Sequence, residues 1–371
     1  MTALSRGRIL GLSLACVSAL TIAACASSTT SGGTSNNSSP QAPPTANSSA
    51  GAGTLLPGEP DVNGDGKVVI GVLSPGDIND HGYYESFVDE ADTFAKSKGW
   101  TVIKQGNVAT TNALAAARAL CQQGVDMVAL GASELSDAIP AASEPVCAKT
   151  AWYVPASGNI AISPRIMLSS DIASQSVFVG GYAAGLLMKA KGDTKAGFIA
   201  GQAADYSKAA SAAFLAGIRE VIPTATVVDT FTGDNNDSAK AKEAMQAQIS
   251  QGVKAVYPYL GGATDAVAAL ANSNNVLTLT PGTDRCDSTS PKFDVSVLFS
   301  PGDYFAAALQ DFAAGKLRMG IARVWKMGID PFPSVKICNP VGSDDSMLKS
   351  FIADIGSGKI DVTTEVTKLG S

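Results

Sequence analysis

The chain has little of what catalysis and nucleic-acid binding ordinarily draw on. His81 is the only imidazole in 371 residues, so a Ser-His-Asp arrangement could be built on that residue alone. No Gly-x-Ser-x-Gly elbow occurs. There is also no Gly-rich loop closing in Lys-Ser/Thr, and no Gly-x-Gly-x-x-Gly turn after the first strand-like run. Asp77 and Asp80 read as a turn acid and a helix N-terminal acid, where negative charge is favoured, rather than as an acid–base pair. These gaps speak against an enzyme. Charge is sparse and mixed, 27 basic against 33 acidic residues for a net of −6, with no basic stripe, which argues against a nucleic-acid partner. Beyond residue 22 no stretch approaches the roughly 20 apolar residues that span a bilayer. No cofactor is expected. No metal is expected either, because the cysteine spacings are long and His81 lies far from every cysteine.

What is present begins with an export signal. Arg6 and Arg8 precede an apolar run over residues 9–22, the length of a signal-peptide core. The run ends in Ile22-Ala23-Ala24-Cys25, which resembles the lipobox of bacterial lipoproteins. The resemblance implies a signal peptide over residues 1–24, acylation of Cys25, and a chain held by lipid at the extracytoplasmic face of the cell membrane. Residues 26–53 are Ser, Thr, Asn, Gly, Pro and Ala. Such a segment buries too little apolar surface to offset its ordering entropy, and a tether is assigned to residues 25–65. Near its end Asp61-Val62-Asn63-Gly64-Asp65-Gly66 imitates the start of a calcium loop, but position twelve is Val72 where a bidentate acid is required. A polar turn before the first strand is the simpler reading. Four cysteines follow Cys25, namely Cys121, Cys147, Cys286 and Cys338. An even number in an exported chain suggests disulfides. Three pairings are possible, and proximity favours Cys121–Cys147 with Cys286–Cys338.

The remaining 300 or so residues are long for one core and comfortable for two lobes. Strand-like runs at 67–74, 101–105, 125–130 and 152–154 alternate with helical stripes. Phe87, Ala91 and Phe94 make one stripe; Ala113, Leu114, Ala117, Leu120 and Cys121 make another, closed by Gly124; a further helix starts at Leu135. After Asp171 the alternation restarts. A small-residue helix over 174–191 leads to a strand at 195–200, a helix at 207–221, a strand at 226–231, a helix from Asp237 to Gln251, and a strand at 253–259. This pattern predicts parallel sheets with helices on both faces. The segments QGVDMVALGASELSDAI (123–139) and QGVKAVYPYLGGATDAV (251–267) align without a gap, which points to two related α/β lobes. Ligands of such sheets bind beyond the strands' carboxyl ends. The polar turns at Ser133 and at Gly261 and Gly262 are therefore expected to face each other across a cleft.

The densest polar and aromatic stretch, GDINDHGYYESFVDEADTF (76–94), falls at such an end. Gly71-Val72-Leu73 followed by Gly76-Asp77-Ile78-Asn79-Asp80-His81-Gly82-Tyr83-Tyr84 resembles the signature of the basic membrane protein family. These are lipoprotein substrate-binding components of ABC transporters related to purine nucleoside receptors. Gly180-Gly181-Tyr182-Ala183-Ala184-Gly185, Ala196-Gly197-Phe198-Ile199-Ala200-Gly201, Phe214-Leu215-Ala216-Gly217-Ile218, Asp237-Ser238-Ala239-Lys240 and Gly282-Thr283-Asp284-Arg285 extend the likeness in the same order.

The resemblance implies an α/β type I periplasmic-binding-protein fold, two Rossmann-like lobes with parallel sheets joined by three hinge crossings. Lobe 1 would hold 66–170 with about 296–322, and lobe 2 would hold 171–295 with about 323–371. It further implies a small ligand, a nucleoside or another polar ring compound, captured between the lobes and handed to an ABC transporter permease. Tyr83 stands at the position of a base-stacking aromatic, Tyr84 at that of a base-binding asparagine, and Ser74 at that of a base-reading aspartate. Asp284 matches a ribose-binding aspartate. Asn235 falls where a second aromatic is expected, with Phe231 nearby, and Phe299 or Ser300 replaces a ribose-binding lysine. Asp80, Ser133, Gly261 and Gly262 complete the expected ligand set. A sensor or signalling lipoprotein would use the same cleft with a protein partner, and a surface interaction protein would show no closure.

Overall fold

A run such as Ile70 to Leu73, buried without interruption, suits only a strand covered on both faces, and this chain builds two sheets of that kind. The structure, a computed structural model, describes residues 57–80, 82–155 and 160–370. The signal peptide, Cys25, most of the tether and His81 lie outside the described residues. In chain order, β1 (Pro57–Gly58) and β2 (Val69–Leu73) precede helix α1 (Tyr83–Lys98), β3 (Thr101–Gln105), α2 (Ala113–Gln122), β4 (Met127–Leu130), β5 (Ala151–Pro155) and β6 (Met167–Asp171). Next come α3 (Ala173–Lys191), β7 (Lys195–Ala200), α4 (Asp205–Arg219), β8 (Thr226–Phe231), α5 (Ser238–Ser250), β9 (Ala255–Tyr259), α6 (Thr264–Ser273), β10 (Leu277–Gly282) and β11 (Val295–Leu298). The chain ends with α7 (Pro301–Ala313), β12 (Leu317–Arg318), β13 (Ile321–Trp325), β14 (Ser334–Ile337), α8 (Asp344–Gly356) and α9 (Val362–Thr367).

The first sheet has the order β3-β2-β4-β5-β6-β13 and is parallel throughout. The second has the order β8-β7-β9-β10-β11-β14 and is parallel except for its last strand. In both, the second strand in sequence lies outside the first, and the order reverses between the first and third. The two βα units aligned in the sequence occupy equivalent places. Gly124 and Gly252 each end a helix at positive φ, +76° and +83°, which glycine adopts without a Cβ penalty. Four clusters of buried side chains cover the four sheet faces, α2 and α1 with α7 on the first sheet, α3 with α4 and α5 with α6 on the second.

The chain passes between the sheets three times: after Asp171 into α3, after Leu298 into α7, and between Trp325 and Ser334. The α3–α4 packing explains the small-residue helix. Gly217 and Gly181 let the two backbones touch; a Cβ on Gly217 would sit 1.9 Å from the carbonyl oxygen of Phe178, and one on Gly181 2.2 Å from that of Phe214.

Two sequence expectations are corrected. Residues 133–143 wind as a 3-10 helix, not an α-helix from Leu135. Pro140 inside the segment supplies no N–H for an α-helical ladder. Residues 57–65, assigned to the tether by composition, belong to the folded region. Pro57–Gly58 pairs with Leu317–Arg318, and Asp61, Asn63 and Asp65 spend their side-chain oxygens on the N–H groups of Gly66, Asp65 and Lys67, which makes the calcium-like segment a polar turn. The disulfides join Cys121 to Cys147 and Cys286 to Cys338.

Gly217→Ala is expected to lower unfolding free energy by at least about 1–3 kcal/mol, because backbone must move to admit the methyl group. An unchanged denaturant midpoint would contradict the close crossing. Reducing the disulfides, whose cysteines lie 26 and 52 residues apart, is expected to cost about 3–4 kcal/mol each through regained chain entropy. Identical unfolding curves with and without reductant would refute this.

Candidate functional site

The carboxyl ends of both sheets carry the aromatic and acidic side chains. Asp80 opens α1 by accepting from the N–H groups of Gly82 and Glu85, both at 3.0 Å, and of Tyr84 at 3.4 Å. Its charge is therefore spent on the free N–H groups and positive end of the helix. Asp77 closes a turn by accepting from Asn79. The Tyr84 ring packs against Gly76, where a Cβ would come within 2.3 Å of it. Tyr83 meets it edge to face at 5.5 Å. Both rings keep part of their surface open. Burial raises the Tyr83 hydroxyl well above its ordinary value, with Asp171 and Glu134 adding to the effect. Burial, Glu134, Asp80 and Tyr206 push Tyr84 up to about 12.

Asp171 is the last residue of β6, where the chain first leaves the first sheet. Tyr304 of α7 donates to it at 3.4 Å. Tyr304 stacks on Trp325 at 5.1 Å, and Trp325 donates its indole N–H to Ser169 at 3.0 Å. The Arg323 guanidinium lies over the Trp325 ring, 3.6 Å from its centroid. From the second sheet, Tyr257 and Tyr259 both feel the Asp171 charge, although burial is the larger cause of their raised values. Tyr259 packs against Phe198 at 5.5 Å and Phe299 at 6.4 Å, and Tyr206, 56% exposed, opens α4 beside it. The carboxylate therefore acts on rings from α1, β5, α7 and β9 at once.

The expected site residues divide. Tyr83 and Tyr84 stand at this cluster. The Ser74 hydroxyl exchanges hydrogen bonds with the backbone of Gly76 at 3.2 and 3.3 Å and shapes the turn that carries them. Ser133 begins the 3-10 segment beside Glu134. In the second sheet, Asn235, Gly261 and Gly262 form one assembly. The Asn235 carbonyl accepts from Gly261 and Ala263, and Asn236 accepts from Gly262 at 2.8 Å. The Asn235 side chain fills the space over Gly201, which a Cβ would contest at 2.2 Å. Asp284 is exposed and engaged elsewhere, accepting from Cys286 N–H and pairing with Lys336, each at 3.0 Å. Glu134, Asp171, Tyr259, Tyr304 and Trp325 were not signalled by the motifs. Asp171 and Tyr259 could have been found as strand-final residues at a carboxyl edge; Tyr304 and Trp325 reach the site only through the later crossings.

Two parallel sheets, related in strand order and joined by three passages, with a polar aromatic site at their carboxyl ends, define the type I periplasmic-binding-protein fold. Solved structures of the same class agree. A solute-binding protein of an ABC transporter system from Conexibacter woesei DSM 14684 superposes with a TM-score of 0.66 at 19% identity, over 79% of this chain and 98% of that one. One from Aeropyrum pernix K1 gives 0.62 at 17%, over 81% and 91%. One from Burkholderia graminis C4D1M, in complex with D-arabinose, gives 0.52 at 14%, over 74% and 96%. No curated protein matches the sequence. The chain belongs to the PnrA-like ABC transporter substrate-binding protein (Bmp) family, whose model matches residues 67–330.

Burial lifts the Asp171 carboxyl to about 6, against its own backbone N–H and the Tyr304 hydrogen bond, which both favour the anion. In the unfolded chain it titrates near about 3.9. The folded state thus holds this proton more tightly, and the associated stability is present below about pH 4 and lost as pH rises through about 6. At neutral pH the ionised group costs at most about 3 kcal/mol, less because solvent still reaches it. Asp171→Asn is expected to raise the denaturant midpoint near neutral pH and to match the parent near about pH 4. Equal midpoints at neutral pH would contradict a strained carboxylate here.

Proposed function

We propose that this chain is the lipid-anchored, extracytoplasmic receptor of an ABC transporter, and that it captures a small polar ring compound between its two sheets. The supporting observation is a set of partly open rings at the carboxyl ends of both sheets, Tyr83 and Tyr84 in edge-to-face contact on one and Tyr259 with Phe299 and Tyr206 on the other, with the Asp171 charge reaching Tyr83 and Tyr259. A flat ligand would stack on Tyr83 and Tyr259. Ser133 and the Gly261 and Gly262 turn would form the lips, and Ser74, Asn235 and Asp80 would support the loops rather than touch the ligand. The three passages between sheets serve as the hinge. Ligand held by both halves favours the closed arrangement by its differential affinity, and the closed arrangement docks on a permease. Acylation at Cys25 would hold the receptor at the membrane.

A nucleoside remains the first ligand class to test, on the family relationship and the position of Tyr83. A thermal-shift screen of nucleosides, nucleobases, sugars and amino acids is expected to return one stabilising class, because a ligand selective for the folded form raises apparent stability by mass action. Tyr83→Ala should weaken the hit by about 1–3 kcal/mol, the value of one aromatic face and its buried area. An unchanged affinity removes Tyr83 from the site, and silence across all four classes contradicts the receptor reading.

A further inference from the structure

Among the described residues Asp171 has no counter-ion: no lysine or arginine forms an ion pair with it, and its only side-chain hydrogen bond is the 3.4 Å contact from Tyr304. Arg323, which lies over Trp325, is 3.9 Å from Asp311 and 3.8 Å from Asp330. The other charges that reach the open rings are negative as well. Glu134 acts on Tyr83 and on Tyr84, and Asp80 on Tyr84. The carboxylate stands at a passage between the sheets, partly accessible, hydrogen-bonded to Tyr304, which stacks on Trp325, and its charge reaches Tyr83 of α1 and Tyr259 of β9.

Closing such a cleft over a neutral solute would withdraw an ionised carboxylate from water without a partner, which is costly. A cation removes that cost. It also gains from the electron-rich ring faces, the arrangement by which aromatic cages hold ammonium groups. We infer that the ligand is a ring compound bearing a positive charge, with Asp171 as its counter-ion and Tyr83, Tyr259 and Tyr304 around it. This rests on the receptor reading and narrows it from polar rings in general to cationic ones.

The test is calorimetric titration of the full folded protein with matched probes near neutral pH: adenosine against 1-methyladenosine, and nicotinamide against 1-methylnicotinamide. Within a pair that binds, the cationic member is expected to bind at least about tenfold more tightly, the order of one desolvated charge–ring and charge–charge contact. Asp171→Asn, expected to fold at least as well as the parent, should bring the two members within about threefold, by weakening the cationic one and by sparing the neutral one the buried charge. Added salt should weaken the cationic probes only. Equal or tighter binding of the neutral members, or a preference that survives Asp171→Asn, overturns the inference and leaves the receptor reading standing. Failure of both cationic probes to bind also overturns it, and a neutral hit in the wider screen would then support uptake of an uncharged solute.

Discussion

An ionised carboxylate enclosed by neutral rings is an unfavourable thing for a fold to keep, and the arrangement around Asp171 follows from that constraint. Two parallel sheets bury their faces under helices without difficulty. Their carboxyl edges cannot be treated in the same way, because strand-final carbonyls and turn N–H groups must stay hydrated or be bonded. This chain satisfies most of those groups locally. Ser74 closes on Gly76, Asp80 on the start of α1, and Asn235 with Asn236 on the Gly261–Ala263 turn. Asp171, at a passage between the sheets, is left with a hydrogen bond from Tyr304 and, among the described residues, no ion pair. Stability forgone at such a point is available to whatever ligand completes it.

The surrounding rigidity has a different origin. The second sheet rests on helices α3 and α4, which approach until their backbones touch at Gly181 and Gly217, while α7 returns to the first sheet and stacks Phe305 on Phe87 at 4.3 Å. Tyr304 is the neighbour of Phe305, so the residue that donates to Asp171 is positioned by a packed core rather than by a loop. Gln175, just inside α3, accepts from the Met327 N–H at 3.2 Å and ties the first passage to the third. Each half is thus a packed body, and three passages join them, the arrangement that permits hinge rotation.

Much of this was legible in the residues. Buried strand runs, the Asp237 cap, which accepts from Ala239 and Lys240, and the paired glycines ending α2 and α5 are local signals, and local signals survive without tertiary information. The repeat of one βα unit foretold the shared strand order. The disulfide partners followed from proximity. The 3-10 winding at 133–143 was not legible as such, since its apolar spacing suits an α-helix and only Pro140 and packing decide otherwise. The site was half legible. Tyr83 and Tyr84 lie in a motif, whereas Asp171 meets Tyr304 across 133 residues and Ser169 meets Trp325 across 156. No spacing rule reports contacts made by a chain that leaves a sheet and returns. Asp284, at a matching motif position, pairs with Lys336 and accepts from the Cys286 N–H, contacts that the motif does not report.

The most direct measurement is a crystal structure of the folded protein with a solute bound from the screen. The account places the solute between the two carboxyl edges, its ring against Tyr83 and Tyr259 and a donor or charged atom within hydrogen-bond distance of an Asp171 oxygen. A solute bound elsewhere on the molecule, or one held in the cleft with the Asp171 carboxylate facing only protein, would contradict it.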